Sequence, residues 1–280
     1  MNRSIVAATC LVLVVCLLPL SSLGEENVLT MATTTSTDNT GLLDDLAPKF
    51  KAATEIELKW TATGTGKALK LGENCDVDVL MVHAPPAEKA FVDSGFGIDR
   101  HEVMTNDFVI IGPAHDPAKI NGKSIQHALQ ALQAKQATFV SRGDNSGTHK
   151  KELSLWKAAG LQVPDRETWY VQAGQGMLTT INIAAERDGY TMTDRGTYLK
   201  YEENMGGNPP LEIIVQDDTV LLNQYSVIDV NPKHCPKVRH DLAMPFIHWI
   251  TGPEAQLTIN DFKLLGKPLF KPNAKKIAQQ

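Results

Sequence analysis

The sequence predicts an α/β fold of two lobes, each a mostly parallel sheet flanked by helices. Three observations carry this. Short β-rich runs alternate with helical stretches, beginning with 28–33 as strand, 41–53 as helix and 56–61 as strand, and such alternation marks parallel sheets covered by helices. Two extended segments, 107–113 and 224–232, end in Gly or Pro punctuation and read as the two crossings of a hinge. No internal repeat, low-complexity tract or long linker breaks the pattern.

Taken in order, further strands are expected at 77–82, 108–111, 137–140, 212–215 and 225–230. Helices are expected at 86–92, 124–134, 147–159 and 177–185, with 243–251 and 253–265 as helices that pack back on the first lobe. The hinge crossings divide the chain into a first lobe built from 25–108 and 227–280 and a second built from 109–226. A ligand then belongs between the lobes, where strand ends and helix starts converge.

The first residues carry one charge, Arg3, then an apolar run over 5–20 and the small-residue stretch Ser21-Ser22-Leu23-Gly24. That is the layout of a cleaved secretion signal, 1–24. A membrane anchor needs about 18 to 20 apolar residues and a stop-transfer cluster, whereas Pro19, two serines, Glu25 and Glu26 follow here. Cys10 and Cys16 follow Thr9 and Val15 rather than the small residue a lipid-attachment site wants. The expectation is an extracytoplasmic protein with no direct membrane anchor.

The formal net charge is −5, and loss of Arg3 takes it to −6. No bulk positive field is available for nucleic acid or an anionic membrane surface. Any anion must be held by local geometry. Cys75 and Cys235 survive signal removal, and export favours a single disulfide between them over two separate buried thiols.

Four strand-to-helix junctions carry the candidate chemistry. Residues 33–38, Thr-Thr-Thr-Ser-Thr-Asp, place hydroxyls and free backbone N–H groups at a helix start, an anion cradle by both hydrogen bonding and dipole. Ordinary N-capping needs one such residue, not six in succession. Residues 63–67, Thr-Gly-Thr-Gly-Lys, invite a P-loop reading that fails, because Thr61 and Ala68 stand where that pattern needs Gly and a hydroxyl; a Gly-rich turn with exposed amides survives. Residues 141–149, Ser-Arg-Gly-Asp-Asn-Ser-Gly-Thr-His, are the strongest. Arg142 brings a permanent charge and a planar fork of donors suited to a tetrahedral oxyanion, with Ser146, Gly147 and Thr148 at the helix start and Asp144 placed to hold the fork or cap the helix. Residues 173–177, followed by 191–195, form a weaker fourth junction. Tyr225 is a candidate for the cleft wall or the core.

These junctions are rich in neutral donors. On the order of six to eight charge-assisted hydrogen bonds at about 1.5 to 3 kcal/mol each outweigh an immobilisation cost of about 4 to 15 kcal/mol, so nanomolar affinity is physically reachable.

The segments ATTTSTDNTGLLDDLAPKF, TGTGKALKLGENCDVDVLMVHAPPAEKAF, NDFVIIGP, SRGDNSGTHKKEL, AGQGM and MTDRGTYL together resemble the tungstate-binding components of ABC importers, the TupA type, over nearly the whole mature chain. The resemblance implies a type II periplasmic binding-protein fold, two lobes closing on a dehydrated oxyanion, and delivery to a membrane permease. It implies a pocket of Thr34, Thr35, Ser36, Thr65, Gly66, Arg142, Ser146, Gly147 and Thr148, with no cofactor and no metal. Tungstate and molybdate are unprotonated tetrahedral dianions near neutral pH and suit a donor-only pocket. Phosphate still carries protons there and favours a carboxylate acceptor, for which Asp144 and Asp38 are candidates; sulfate is a further alternative.

Two readings from other classes compete. Ser146, His149 and Asp144 suggest a hydrolase, but triad members come from separate segments and no Gly-x-Ser-x-Gly elbow is present. His234, Cys235 and His240 suggest a metal, but one thiol and two imidazoles do not complete a structural zinc site.

Overall fold

The computed structural model describes residues 27–275. The expected signal segment 1–24 lies outside the described residues, as do 276–280. The chain enters as β1 (Val28–Thr34), passes through the single-turn α1 (Thr35–Asp38) into α2 (Leu42–Thr54), and continues as β2 (Glu57–Thr63), α3 (Thr65–Glu73), β3 (Val79–Val82) and α4 (Pro85–Asp93). β1 is parallel to β2 and to β3. In α2, Leu42, Leu43, Leu46 and Phe50 are buried; they recur as one stripe of a 3.6-residue helix, so their burial holds the helix on the sheet, at roughly 1.5 to 3 kcal/mol per side chain.

The next strand, β4 (Gly97–Pro113), is long and is followed by α5 (Ile125–Lys135), β5 (Phe139–Ser141), α6 (Gly147–Ala158), β6 (Tyr170–Gln172), α7 (Met177–Glu186), β7 (Tyr190–Asp194), α8 (Arg195–Asn204) and β8 (Leu211–Val215). A 3-10 turn, Thr219–Leu221, leads into β9 (Leu222–Val230), then α9 (His240–Ile250), α10 (Pro253–Asp261) and the two-residue strands β10 (Lys263–Leu264), β11 (Lys267–Pro268) and β12 (Lys271–Pro272).

Hydrogen-bonded strands follow one another in the order β2-β1-β3-β9-β4-β7-β5-β6, with β8 and β12 also joined to β4. β4 changes partner along its length. Up to Asp107, opposite Leu222, it is antiparallel to β9; from Phe108, opposite Asp194, it is antiparallel to β7, and from Ile110 it also pairs with β8. The sheet therefore has two halves sharing one strand. Each half keeps a parallel trio, β2-β1-β3 and β6-β5-β7, but the whole is mixed rather than mostly parallel. The reason is directional: β4 runs out of the first half and β9 runs back, so the two crossings oppose each other.

The point of exchange is tied down by packing and charge. A Cβ on Gly112 would stand 2.3 Å from the Tyr190 ring, so the ring packs against the bare glycine of β4. Arg195, the first residue of α8, donates to both carboxylate oxygens of Asp107 at 2.7 and 2.6 Å. In the first half, Cys75 and Cys235 form a disulfide with their Cα atoms 5.4 Å apart, joining the end of α3 to the segment after β9.

Candidate oxyanion-binding site

Five helices begin on one cleft. It encloses about 570 Å³ and is lined by residues at the starts of α1 and α3 from the first half and of α6, α7 and α8 from the second. The first N–H groups of a helix have no acceptor within it, and the aligned peptide dipoles add partial positive charge there. Gly64 and Gly176 are the cap residues of α3 and α7, so no side chain separates those helix ends from the cleft.

On the β1–α1 junction, Thr34, Thr35 and Ser36 all line the cleft, but their hydroxyls are not equivalent. Thr34 is buried; its Oγ1 accepts from Thr37 N at 3.3 Å and lies 2.7 Å from Thr37 Oγ1, 3.1 Å from Ser36 Oγ and 3.0 Å from His83 Nε2. Its hydrogen-bonding capacity is spent on holding the loop. Thr35 is exposed and Ser36 half-buried, leaving these two to face a ligand. Across the next junction, Thr65 lines the cleft while Gly66 is exposed and outside the lining.

The Arg142 loop enters from the second half. Gly143 at φ 60° and Asn145 at φ 59° turn it sharply. Arg142 Nη2 donates to Asp144 Oδ2, Ser146 N donates to Asp144 Oδ1 at 3.1 Å, and Gly174 N donates to the Arg142 carbonyl at 2.8 Å. Burial by itself raises the Asp144 carboxyl, but its bonds with Ser146 and Arg142 outweigh that and hold it below its ordinary value. The carboxylate thus keeps its charge and fixes the guanidinium. Arg142 Nε is buried with no hydrogen-bond partner among the described residues, a spare donor on a cleft-lining side chain. Ser146 caps α6 by accepting from His149 N at 3.3 Å, and Ser146, Gly147 and Thr148 all line the cleft.

Residues 21–254 match the family model described as a PBP superfamily domain. The chain is 52% identical over 240 residues to the tungstate-binding protein TupA of Campylobacter jejuni, covering 86% of this chain and 89% of that one. The solved structure of the tungstate-binding protein TupA from Desulfovibrio alaskensis G20 is 67% identical, with a TM-score of 0.85 over 89% of this chain and 99% of that one. A solved tungstate ABC transporter structure from Geobacter sulfurreducens is 50% identical, with a TM-score of 0.74 over 84% of this chain and 98% of that one.

The chain belongs to the TupA family. In this TupA-family chain the expected carboxylate acceptors stay out of the cleft lining: Asp144 serves Arg142, and Asp38 accepts from Trp60 Nε1 at 2.7 Å. The carboxylate that does line it, Asp194, caps α8, accepting from Thr197 N at 2.9 Å and Thr197 Oγ1 at 2.6 Å. Sequence reasoning placed residues 191–195 near the cleft but missed Lys200 and Asn204, which share the cleft-facing side of α8. Their spacing from Gly196 in steps of four is the signal that would have found them.

It also missed His83, which lines the cleft between β3 and α4. Its Nε2 lies 3.1 Å from Ser36 Oγ and its Nδ1 3.0 Å from Asn223 Oδ1, and its ring stacks on Tyr225 with centroids 4.7 Å apart. Burial pushes the imidazole below its ordinary value, against smaller opposing effects of Asn223 and Asp194. Tyr225 itself is buried.

TupA proteins are binding proteins of transport systems rather than enzymes, and the local geometry agrees. His149 Nδ1 accepts from Asn145 N at 3.0 Å, so no Ser–His–Asp relay runs through Ser146. Of the residues in the metal reading, Cys235 is bonded to Cys75 through its sulfur, and His240 Nδ1 lies 2.6 Å from Asp229 Oδ2.

Proposed function

We propose that the chain captures tungstate outside the cytoplasm and delivers it to the permease of an ABC importer. The observation that carries this reading is the convergence of five helix N-termini and Arg142 on one cleft whose lining carboxylate, Asp194, is already committed to Thr197. Such a donor-rich site suits an unprotonated tetrahedral dianion, and its lining carboxylate, Asp194, already accepts two hydrogen bonds from Thr197. The similarity to tungstate-binding TupA proteins selects tungstate among such dianions.

In this reading Thr35, Ser36, Thr65, Arg142, Ser146, Gly147 and Thr148 hold the anion, Thr34 braces their loop, and Gly66 supports the α3 turn from outside. The segments 25–108 with 227–280, and 109–226, act as two lobes that close about the exchange point of β4. Export through the N-terminal signal delivers the protein, and among the described residues no helix is long and apolar enough to cross a membrane. Competition calorimetry with tungstate, molybdate, sulfate and phosphate tests the assignment. Tungstate binding of nanomolar order, with phosphate failing to compete, is expected; phosphate binding as tightly as tungstate defeats the reading.

A further inference from the structure

Behind the cleft hydroxyls lies a buried polar chain. Asn223 Nδ2 donates to Asn106 Oδ1 at 2.8 Å, and Asn106 Nδ2 donates to Tyr225 OH at 3.2 Å. The atom that Asn223 presents to His83 Nδ1 is therefore its carbonyl oxygen, which only accepts. With the two amides so oriented, Nδ1 carries the ring proton. In the neutral ring Nε2 is then an acceptor, and the hydroxyls within reach are Ser36 Oγ at 3.1 Å and Thr34 Oγ1 at 3.0 Å. Thr34 Oγ1 also accepts from Thr37 N, and in its 2.7 Å contact with Thr37 Oγ1 either hydroxyl can donate.

A neutral His83 thus draws hydroxyl protons inward, away from any anion in the cleft. An imidazolium does the reverse: its Nε2–H donates to the hydroxyl oxygens and releases their protons toward the ligand. The charge balance favours that change. Asp144 pairs with Arg142, and Asp194 and Lys200 add one charge of each sign to the lining, so the formal side-chain charges here sum to zero before a dianion enters.

We propose that His83 is a positioning residue of the oxyanion site, taking up one proton from solvent at Nε2 as the dianion enters and so turning the Ser36 hydroxyl toward it. One N–H bond forms, the proton comes from buffer or water, and the Ser36 O–H rotates; no other covalent bond changes. The titratable groups facing the ring are Asp194, which favours the imidazolium, and Tyr225, which stacks on it and whose proton burial holds in place. Against protonation stand burial, the positive end of α6 at Gly147, where a Cβ would lie 3.9 Å from His83 Cε1, and the cleft cations Arg142 and Lys200. The ring is accordingly neutral before the anion arrives and charged afterwards.

The inference rests on the oxyanion reading above, and the experiment separates the two. Calorimetric titration of the exported chain with tungstate, in buffers of low and high ionisation enthalpy, reads protons taken up on binding. Uptake approaching one proton is expected between the free and bound pKa values of His83. Across that window affinity should fall by up to about tenfold per pH unit as pH rises, since the bound form holds the extra proton. His83→Gln should abolish the uptake and flatten the pH dependence of affinity, losing the gain at the acid end. Tungstate binding in the wild type with no buffer dependence at any pH across the window overturns the inference while leaving tungstate capture intact; no tungstate binding at all defeats both. If the variant fails to fold, nitrogen-15 shifts of His83 in the wild-type protein decide: a ring protonated at Nδ1 alone without tungstate and at both nitrogens with it is expected, and a ring that stays neutral with tungstate bound overturns the inference.

Discussion

Gly147 at the start of α6 faces Thr65 at the start of α3 across the cleft, so close that a Cβ at 147 would stand 3.7 Å from Thr65 Oγ1. Two helix N-termini from opposite halves of the sheet thereby border the same small volume. An alanine at 147 fits at ordinary contact distance, but anything branched or longer projects between the halves. Gly147→Leu is expected to weaken tungstate binding at least tenfold while Gly147→Ala stays within a few-fold. Calorimetry on both, with thermal melts to confirm folding, checks this.

Arg142 provides the permanent charge of the site, and its guanidinium is held by Asp144. Removing a charged, partly buried donor costs roughly 2 kcal/mol or more of binding free energy, about a thirtyfold loss of affinity. Arg142→Ala should show that loss for tungstate, and wild-type affinity in the variant would remove Arg142 from the pocket.

The disulfide closes a loop with its ends 160 residues apart in sequence, and constraining so long a loop in the unfolded chain stabilises the fold by about 2 to 5 kcal/mol. Cys75 and Cys235 are absent from the cleft lining. Cys75→Ser combined with Cys235→Ser should therefore lower the denaturant midpoint markedly and leave tungstate affinity nearly unchanged. Urea unfolding and calorimetry read the two effects separately.

Asp229 is fully buried beside His240, and burial pushes its carboxyl up to about 6. A folded-state value above the unfolded one means the folded protein binds the extra proton. The stability this group contributes is fully present below its ordinary value of 3.8 and is lost as pH rises through about 6. Thermal melts from acid to neutral pH should show Asp229→Asn gaining on wild type across that interval; a constant difference would refute the assignment.

The sequence made the backbone of the site legible because its key loops announce themselves chemically. The run of hydroxyls at 33–38 and the Arg142 loop each sit between a strand and a helix start, and both junctions line the cleft. What stayed hidden depends on tertiary contact. His83 sits in an unremarkable His-Ala-Pro stretch, and only the meeting of β1, β3 and β9 gives it Ser36, Thr34 and Asn223 as neighbours. The first part of β4 escaped notice because Asp99, Arg100, His101 and Glu102 interrupt its apolar pattern; these positions are exposed or half-buried, and their pairing with β9 supplies the order that composition does not. Gly66 looked like part of the anion turn because it adjoins Thr65, yet the helical rotation from Thr65 to Gly66 carries it to the solvent side.

Anomalous scattering from crystals grown with tungstate tests the central claim most directly, because tungsten marks its own position. A single strong peak within hydrogen-bonding reach of Ser36, Thr65, Arg142 and the 146–148 amides is expected. A peak elsewhere on the molecule, with this cleft holding no tungsten, would contradict the site.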